Sequence, residues 1–198
     1  MGRESAEIIC IIDRSGSMQS IRSDAIGCFN AFLDQQKKEP GSARLTLVMF
    51  NSVYDVVLKR VPLEEVLDLT EETYVPMGTT ALLDAMGKTI DSVATRLMET
   101  PEDKRPERVI FAILTDGQEN ASTSYTRSQV FEKISRHREA NGWEFTFLAA
   151  NQDAIVVGRS LGIPAADSHS FGATPDGIKA AYQTLSSEVS RKRRMPQK

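Results

Sequence analysis

The sequence predicts an α/β fold: a Rossmann-like, doubly wound, mostly parallel six-stranded sheet with one antiparallel edge strand and helices on both faces. Short apolar runs alternate along the chain with segments of helical periodicity. Three of those runs are apolar almost throughout, the pattern of strands covered on both faces. The first run stops abruptly at "DRSGSMQS" (13–20), a cluster of small oxygen-bearing side chains. Sheets of this class place their ligands at such strand ends.

The strands are expected at "EIICIID" (7–13), "RLTLVMF" (44–50), "YDVVLKRV" (54–61), "RVIFAILTD" (108–116) and "EFTFLAA" (144–150), with "SHSF" (168–171) as a candidate sixth. The third follows its predecessor through a tight turn and alternates more, as an antiparallel edge strand does. Helices are expected between them. Residues 18–37 align Ile21, Ala25, Cys28, Phe29, Phe32 and Leu33, and residues 80–98 align Leu83, Met86, Ile90, Val93, Ala94 and Leu97, both at the 3.6-residue period. Residues 127–140 make a more polar helix with Val130, Phe131 and Ile134 inward. Residues 153–161 make a short one ended by Gly162 and Pro164, with Asn151 and Asp153 at its start and a cap as their expected role. Residues 175–193 carry a stripe of Ile178, Tyr182, Leu185 and Val189. "ETPEDKRPER" (99–108) is a charged surface loop. No repeat or low-complexity segment interrupts residues 1–198, which read as a single domain with a core of about 5–192 and a basic tail at 190–198.

At 198 residues the chain is long enough for a full core, and its 40% hydrophobic and 26% charged content is ordinary for a globular protein. A net charge of −3 argues against general nucleic-acid binding, and no apolar run approaches the ~20 residues of a membrane span. The first ten residues lack a basic region followed by an apolar core, and Ala6 stands where a myristoylation signal needs Ser or Thr. The expected location is therefore the cytoplasm, where Cys10 and Cys28 serve as small buried hydrophobes rather than as a disulfide. The tail "SRKRRMPQK" is read as a solvated helix end whose positive charge suits the helix dipole, with anionic lipid or nucleic acid as the other option.

If the sheet is wound in the order 3-2-1-4-5-6, Asp13 and Asp116 end neighbouring strands at the switch point and share one crevice. The loop "MGTTALLDA" (77–85) then brings Thr79 and Thr80 within reach, so Asp13, Ser15, Ser17, Thr80 and Asp116 would converge. Five oxygen donors without His or Cys suit Mg²⁺, or Mn²⁺ or Ca²⁺, rather than zinc or copper. With two carboxylates the ion would keep an open position, which an Asp or Glu of a protein partner would fill. Taken singly, each segment also fits a helix cap or a turn.

These residues resemble a known family. "DRSGSM", "GTTALLDA" and "ILTDG" are similar to the Asp-x-Ser-x-Ser, Thr and Asp elements of the von Willebrand factor A domain, and the likeness covers roughly residues 5–192. It implies a metal-ion-dependent adhesion site on a Rossmann-like fold. On that resemblance Ser15 and Ser17 coordinate directly, Thr80 directly or through water, and Asp13 and Asp116 often through water. Gln118, Glu119 and Asn120 would lie on the rim and select the partner. "SGSM", "TDGQEN" and "AANQDA" resemble stand-alone bacterial or phage members, which are commonly intracellular. The resemblance also implies a binding module rather than an enzyme. The alternatives are a metal-assisted hydrolase using Asp13 and a scaffold whose metal is purely structural. Against the hydrolase, "SGSM" is no G-x-S-x-G elbow, and no phosphate-binding Gly-rich loop is present.

Overall fold

The computed structural model describes residues 6–150 and 153–195. Its six strands are β1 (Ala6–Asp13), β2 (Ala43–Phe50), β3 (Tyr54–Pro62), β4 (Val109–Thr115), β5 (Glu144–Ala150) and β6 (Ser168–Phe171). They lie side by side in the order β3-β2-β1-β4-β5-β6. Every pair is parallel except β2 with β3. The order reverses between β1 and β4, so their carboxyl ends flank the switch point.

Period-2 alternation sends Ile8, Cys10 and Ile12 of β1 to one face and Ile9 and Ile11 to the other. The first face packs against α1 (Arg22–Lys38) and α5 (Pro175–Arg194), through Phe29, Phe32, Tyr182 and Leu185. The second packs against α2 (Leu82–Glu99), α3 (Arg127–Asn141) and α4 (Ala154–Ser160), through Met86, Ile90, Val130 and Ala154. Among the described residues no helix is long and apolar enough to cross a membrane.

Local signals set several boundaries. Thr126 and Gln129 form a reciprocal capping box at the start of α3, and Gly142 ends that helix in the left-handed region. Thr174 caps α5, with Pro175 in its first turn. Asp153 caps α4 as expected; Asn151 lies outside the described residues.

The structure corrects four expectations. The helix expected over 18–37 begins as a 3₁₀ turn, Gly16–Ile21, and becomes α-helical only at Arg22. Phe131 points outward and is 42% exposed, because Val130 and Ile134 already occupy the inward stripe of α3 and the next residue turns ~100° away. Cys28 is half-buried, packed against the core from its edge. The end of α5 is not a solvated basic tail. Lys192 is 1% exposed and donates to the Phe145 carbonyl, Thr146 Oγ1 and Asp167 Oδ1. Arg194 grips the Glu39 carboxylate at 2.7 Å through both Nε and Nη2, and Arg193 donates to the carbonyls of Gln36 and Gly41.

Candidate metal centre

β1 delivers Asp13 to the carboxyl edge of the sheet, fully buried. Its Oδ1 accepts the Ser15 N–H at 2.7 Å and its Oδ2 accepts the Thr115 hydroxyl at 2.5 Å. Tyr74, also buried, donates its hydroxyl to the Asp13 backbone carbonyl at 2.6 Å. The acid is therefore fixed from three sides. Ser15 and Ser17 follow, with hydroxyl oxygens 3.1 Å apart, and Ser17 donates to Asp116 Oδ1 at 2.7 Å. This last bond joins residues 99 positions apart and closes the crevice between β1 and β4. Neither Ser15 at the start of the 3₁₀ turn nor Ala81 at the start of α2 makes a side-chain cap. Ser15 thus does not serve as a helix cap.

The second loop is laced to the first. Gly16 N–H donates to the Gly78 carbonyl and Met77 N–H to the Arg14 carbonyl. Gly78 has φ +72°, and a Cβ there would sit 3.2 Å from Ser52 Oγ; the strain and the crowding both demand glycine. The tight turn leaves Thr79 exposed and Thr80 buried. A Cβ on Gly117 would lie 2.9 Å from Thr80 Oγ1 and 3.6 Å from Ser17 Oγ, so the missing side chain is what lets Thr80 approach the two-serine loop. Asp13, Ser15, Ser17, Thr80 and Asp116 are thereby brought to one place. Ser17 is exposed and the other four are buried, which leaves a polar floor open at one mouth.

The three rim residues divide. Gln118 is exposed. Asn120 clamps Thr80 from both sides: its Oδ1 accepts the Thr80 N–H at 2.9 Å, and its own N–H donates to the Thr80 carbonyl at 3.0 Å. Glu119 binds inward. Its Oε2 accepts the Leu83 N–H and the Ser122 hydroxyl, and its Oε1 accepts the N–H groups of Ala121 and Ser122. Asp84 reciprocates from α2, accepting the N–H groups of Thr123, Ser124 and Tyr125. The first turn of α2 is thus capped by a distant loop instead of its own sequence. Sequence patterning gave no sign of this bracket, nor of Tyr74. Thr115 had a signal in "LTDG", since it adjoins Asp116 at a strand end.

Electrostatically the floor is loaded. Burial pushes the Asp13 carboxyl up, against the hydrogen bonds from Thr115 and Ser15 that hold it down. Burial, reinforced by the Asp13 charge, pushes Asp116 up to about 6, against the Ser17 hydroxyl. Two carboxylates facing one another across hydroxyl oxygens make a hard, all-oxygen donor set whose repulsion a divalent cation would relieve. The residues present fit such an ion.

No family model matches the sequence, and no curated protein matches it. Solved structures do resemble it. The vWF domain of the type V pili tip protein Mfa5 from Porphyromonas gingivalis aligns with a TM-score of 0.63 at 12% identity, covering 96% of this chain and 97% of that one. Proximal thread matrix protein 1 from the mussel byssus, with a zinc-occupied MIDAS motif, aligns with a TM-score of 0.62 at 14% identity, over 96% of this chain and 46% of that one. Manganese-loaded TRAP protein from Plasmodium vivax aligns with a TM-score of 0.52 at 16% identity, over 75% of this chain and 58% of that one. The chain therefore spans about half the length of the mussel protein it resembles. At these identities the likeness shows the fold: six strands and five helices in a von Willebrand factor A-type arrangement.

Proposed function

We propose that this chain is a metal-ion-dependent protein-binding module, in which Asp13, Ser15, Ser17, Thr80 and Asp116 hold a divalent cation and an Asp or Glu of a protein partner completes its shell. The observation that carries this reading is the meeting of five oxygen donors from three separate loops around two facing buried carboxylates. Likeness to zinc- and manganese-loaded structures of the same fold supports it. Mg²⁺, Mn²⁺ and Ca²⁺ suit the donor set.

When bound, the cation supplies positive charge between the two carboxylates and an acceptor position for a partner carboxylate. Thr115 and Ser15 keep Asp13 in one rotamer, and Asn120 and Gly117 set the depth of Thr80. Gln118, exposed beside the mouth, is placed to contact a partner; Glu119 and Asn120 contribute by fixing the loop. The module works by binding rather than by turnover. The two free thiols fit a reducing compartment such as the cytoplasm.

Thermal unfolding with millimolar Mg²⁺, Mn²⁺ or Ca²⁺, against chelator, tests the reading. Metal at a hundred times its Kd adds about 2.7 kcal/mol by mass action. Asp13→Ala abolishes that gain. An unchanged melting curve in all three ions overturns the proposal. A partner captured only with metal separates the binding module from a structural metal site, and hydrolytic turnover lost in Asp13→Ala would favour an enzyme.

A further inference from the structure

Away from the carboxyl edge, Glu7 and Thr46 interrupt the apolar face of the sheet that packs against α2. Beneath edge strand β3 lies a cavity of about 160 Å³ whose lining includes Glu7, Thr46, Lys59, Arg60, Ser92 and Arg96. Two arginines meet one carboxylate there, and Lys59 lines the same cavity. Glu7 is fully buried, and Arg96 Nη2 holds both its oxygens, at 2.6 and 2.7 Å. Arg60 Nε adds a third contact at 3.3 Å.

Two irregularities converge on this cavity. The β2–β3 ladder shifts register between Leu45 and Val48, and beside that shift Arg60 sits at φ +53°, the one non-glycine residue at positive φ among the described residues. A left-handed arginine is strained, and bulges recur where a side chain is re-aimed for function. The strained backbone is held by its N–H to Thr46 Oγ1 and by its carbonyl, which accepts from Arg44. Because Thr46 accepts from Arg60, its own proton remains available to a further acceptor. The second irregularity is Arg96 Nη1, which is buried without a hydrogen-bond partner. An orphaned guanidinium N–H is costly and points to an absent acceptor.

We propose that this cavity is a binding site for a small oxyanion of phosphate type, held by Arg96, Lys59 and the Thr46 hydroxyl. The volume admits a tetrahedral oxyanion and little more, well under the ~300 Å³ of sites for larger organic ligands. Guanidinium and ammonium groups are the usual donors to phosphate. Glu7 and Asp13 are six residues apart on β1, so the cavity lies about 20 Å from the metal centre and is independent of it.

Inorganic phosphate is the probe, added to the full chain in chelator at constant ionic strength with chloride as the control. Phosphate at ten times its Kd raises Tm by about 3–6 °C, and Asp13→Ala responds equally. Arg96→Ala risks unfolding by orphaning Glu7, so the deciding variant is Lys59→Glu at an exposed position. It weakens phosphate binding at least tenfold in calorimetry while melting like the parent in chloride. AMP binds no more tightly than inorganic phosphate. Absence of a phosphate-specific shift, a response lost in Asp13→Ala but kept in Lys59→Glu, or AMP binding tenfold tighter than phosphate would each overturn the assignment.

Discussion

The carboxyl edge of the sheet and the last turns of α5 both bury charge, and they do so in opposite ways. At the end of α5, cations meet carboxylates: Lys192 meets Asp167 and Arg194 meets Glu39. At the sheet edge a carboxylate faces a carboxylate across two serines. The first arrangement pairs opposite charges within the fold. The second leaves like charges side by side, the arrangement that the proposed cation would neutralise. Burial alone therefore does not mark a binding site; the sign of the neighbour does.

The strongest way to break this comparison is to remove a charge at each end. Lys192→Ala deprives Asp167 of its buried partner and empties a packed position, lowering stability by about 3 kcal/mol and Tm by roughly 6–12 °C in calorimetry. At the other end the sign reverses. In chelator, Asp116→Asn raises stability by about 1–2 kcal/mol at pH 7, since its amide oxygen still accepts from Ser17 while the repulsion disappears. The same variant loses the metal response. If both substitutions destabilise alike, the contrast between the two regions fails.

A pH series sharpens the second half. Asp116 titrates at about 6 in the folded chain and from 3.8 in its ordinary state. The folded state binds the extra proton between those values, so this group costs stability as pH rises through the window, fully so above it. The melting difference between wild type and Asp116→Asn is expected to be widest above pH 6–7 and to close below about pH 4.

Smaller effects come from the supports. Glu119→Ala uncaps α2 and loosens the loop beside Thr80, costing about 1–2 kcal/mol and weakening metal affinity without changing stoichiometry, as calorimetry would read. Arg194→Ala costs least, about 0.5–1 kcal/mol, because the arginine is largely exposed. Glu39, pushed up by burial but held below its ordinary value overall by Arg194, then titrates higher. An acid-unfolding curve that moves to higher pH in this variant checks the sign, since a depressed carboxyl lends stability that is lost as pH falls.

The strand order and the meeting of β1 with β4 were legible in the sequence because both rest on local patterns. Continuous apolar runs and helical stripes between them leave few ways to wind the sheet. The five oxygen donors were legible because each stands at a strand end or before a helix, where topology gathers them. Phe131 was misplaced because Val130, Phe131 and Ile134 all lie near one helical stripe, and their spacing does not say which two face inward. The end of α5 was misjudged for a deeper reason. "SRKRR" looks solvated in isolation, and only Glu39 and Asp167, brought from distant segments, turn it inward.

By itself, then, the sequence determined the sheet, its faces and the chemistry at its carboxyl edge, since period, length and side-chain type act over a few residues. The tertiary structure alone decided how that chemistry is tuned. The depth of Thr80, the Glu119 bracket on α2, the raised Asp116 and the Arg60 bulge over Arg96 all depend on residues far apart in the chain. Electrostatic coupling and steric exclusion are set by distance in space, and only the packed fold fixes those distances.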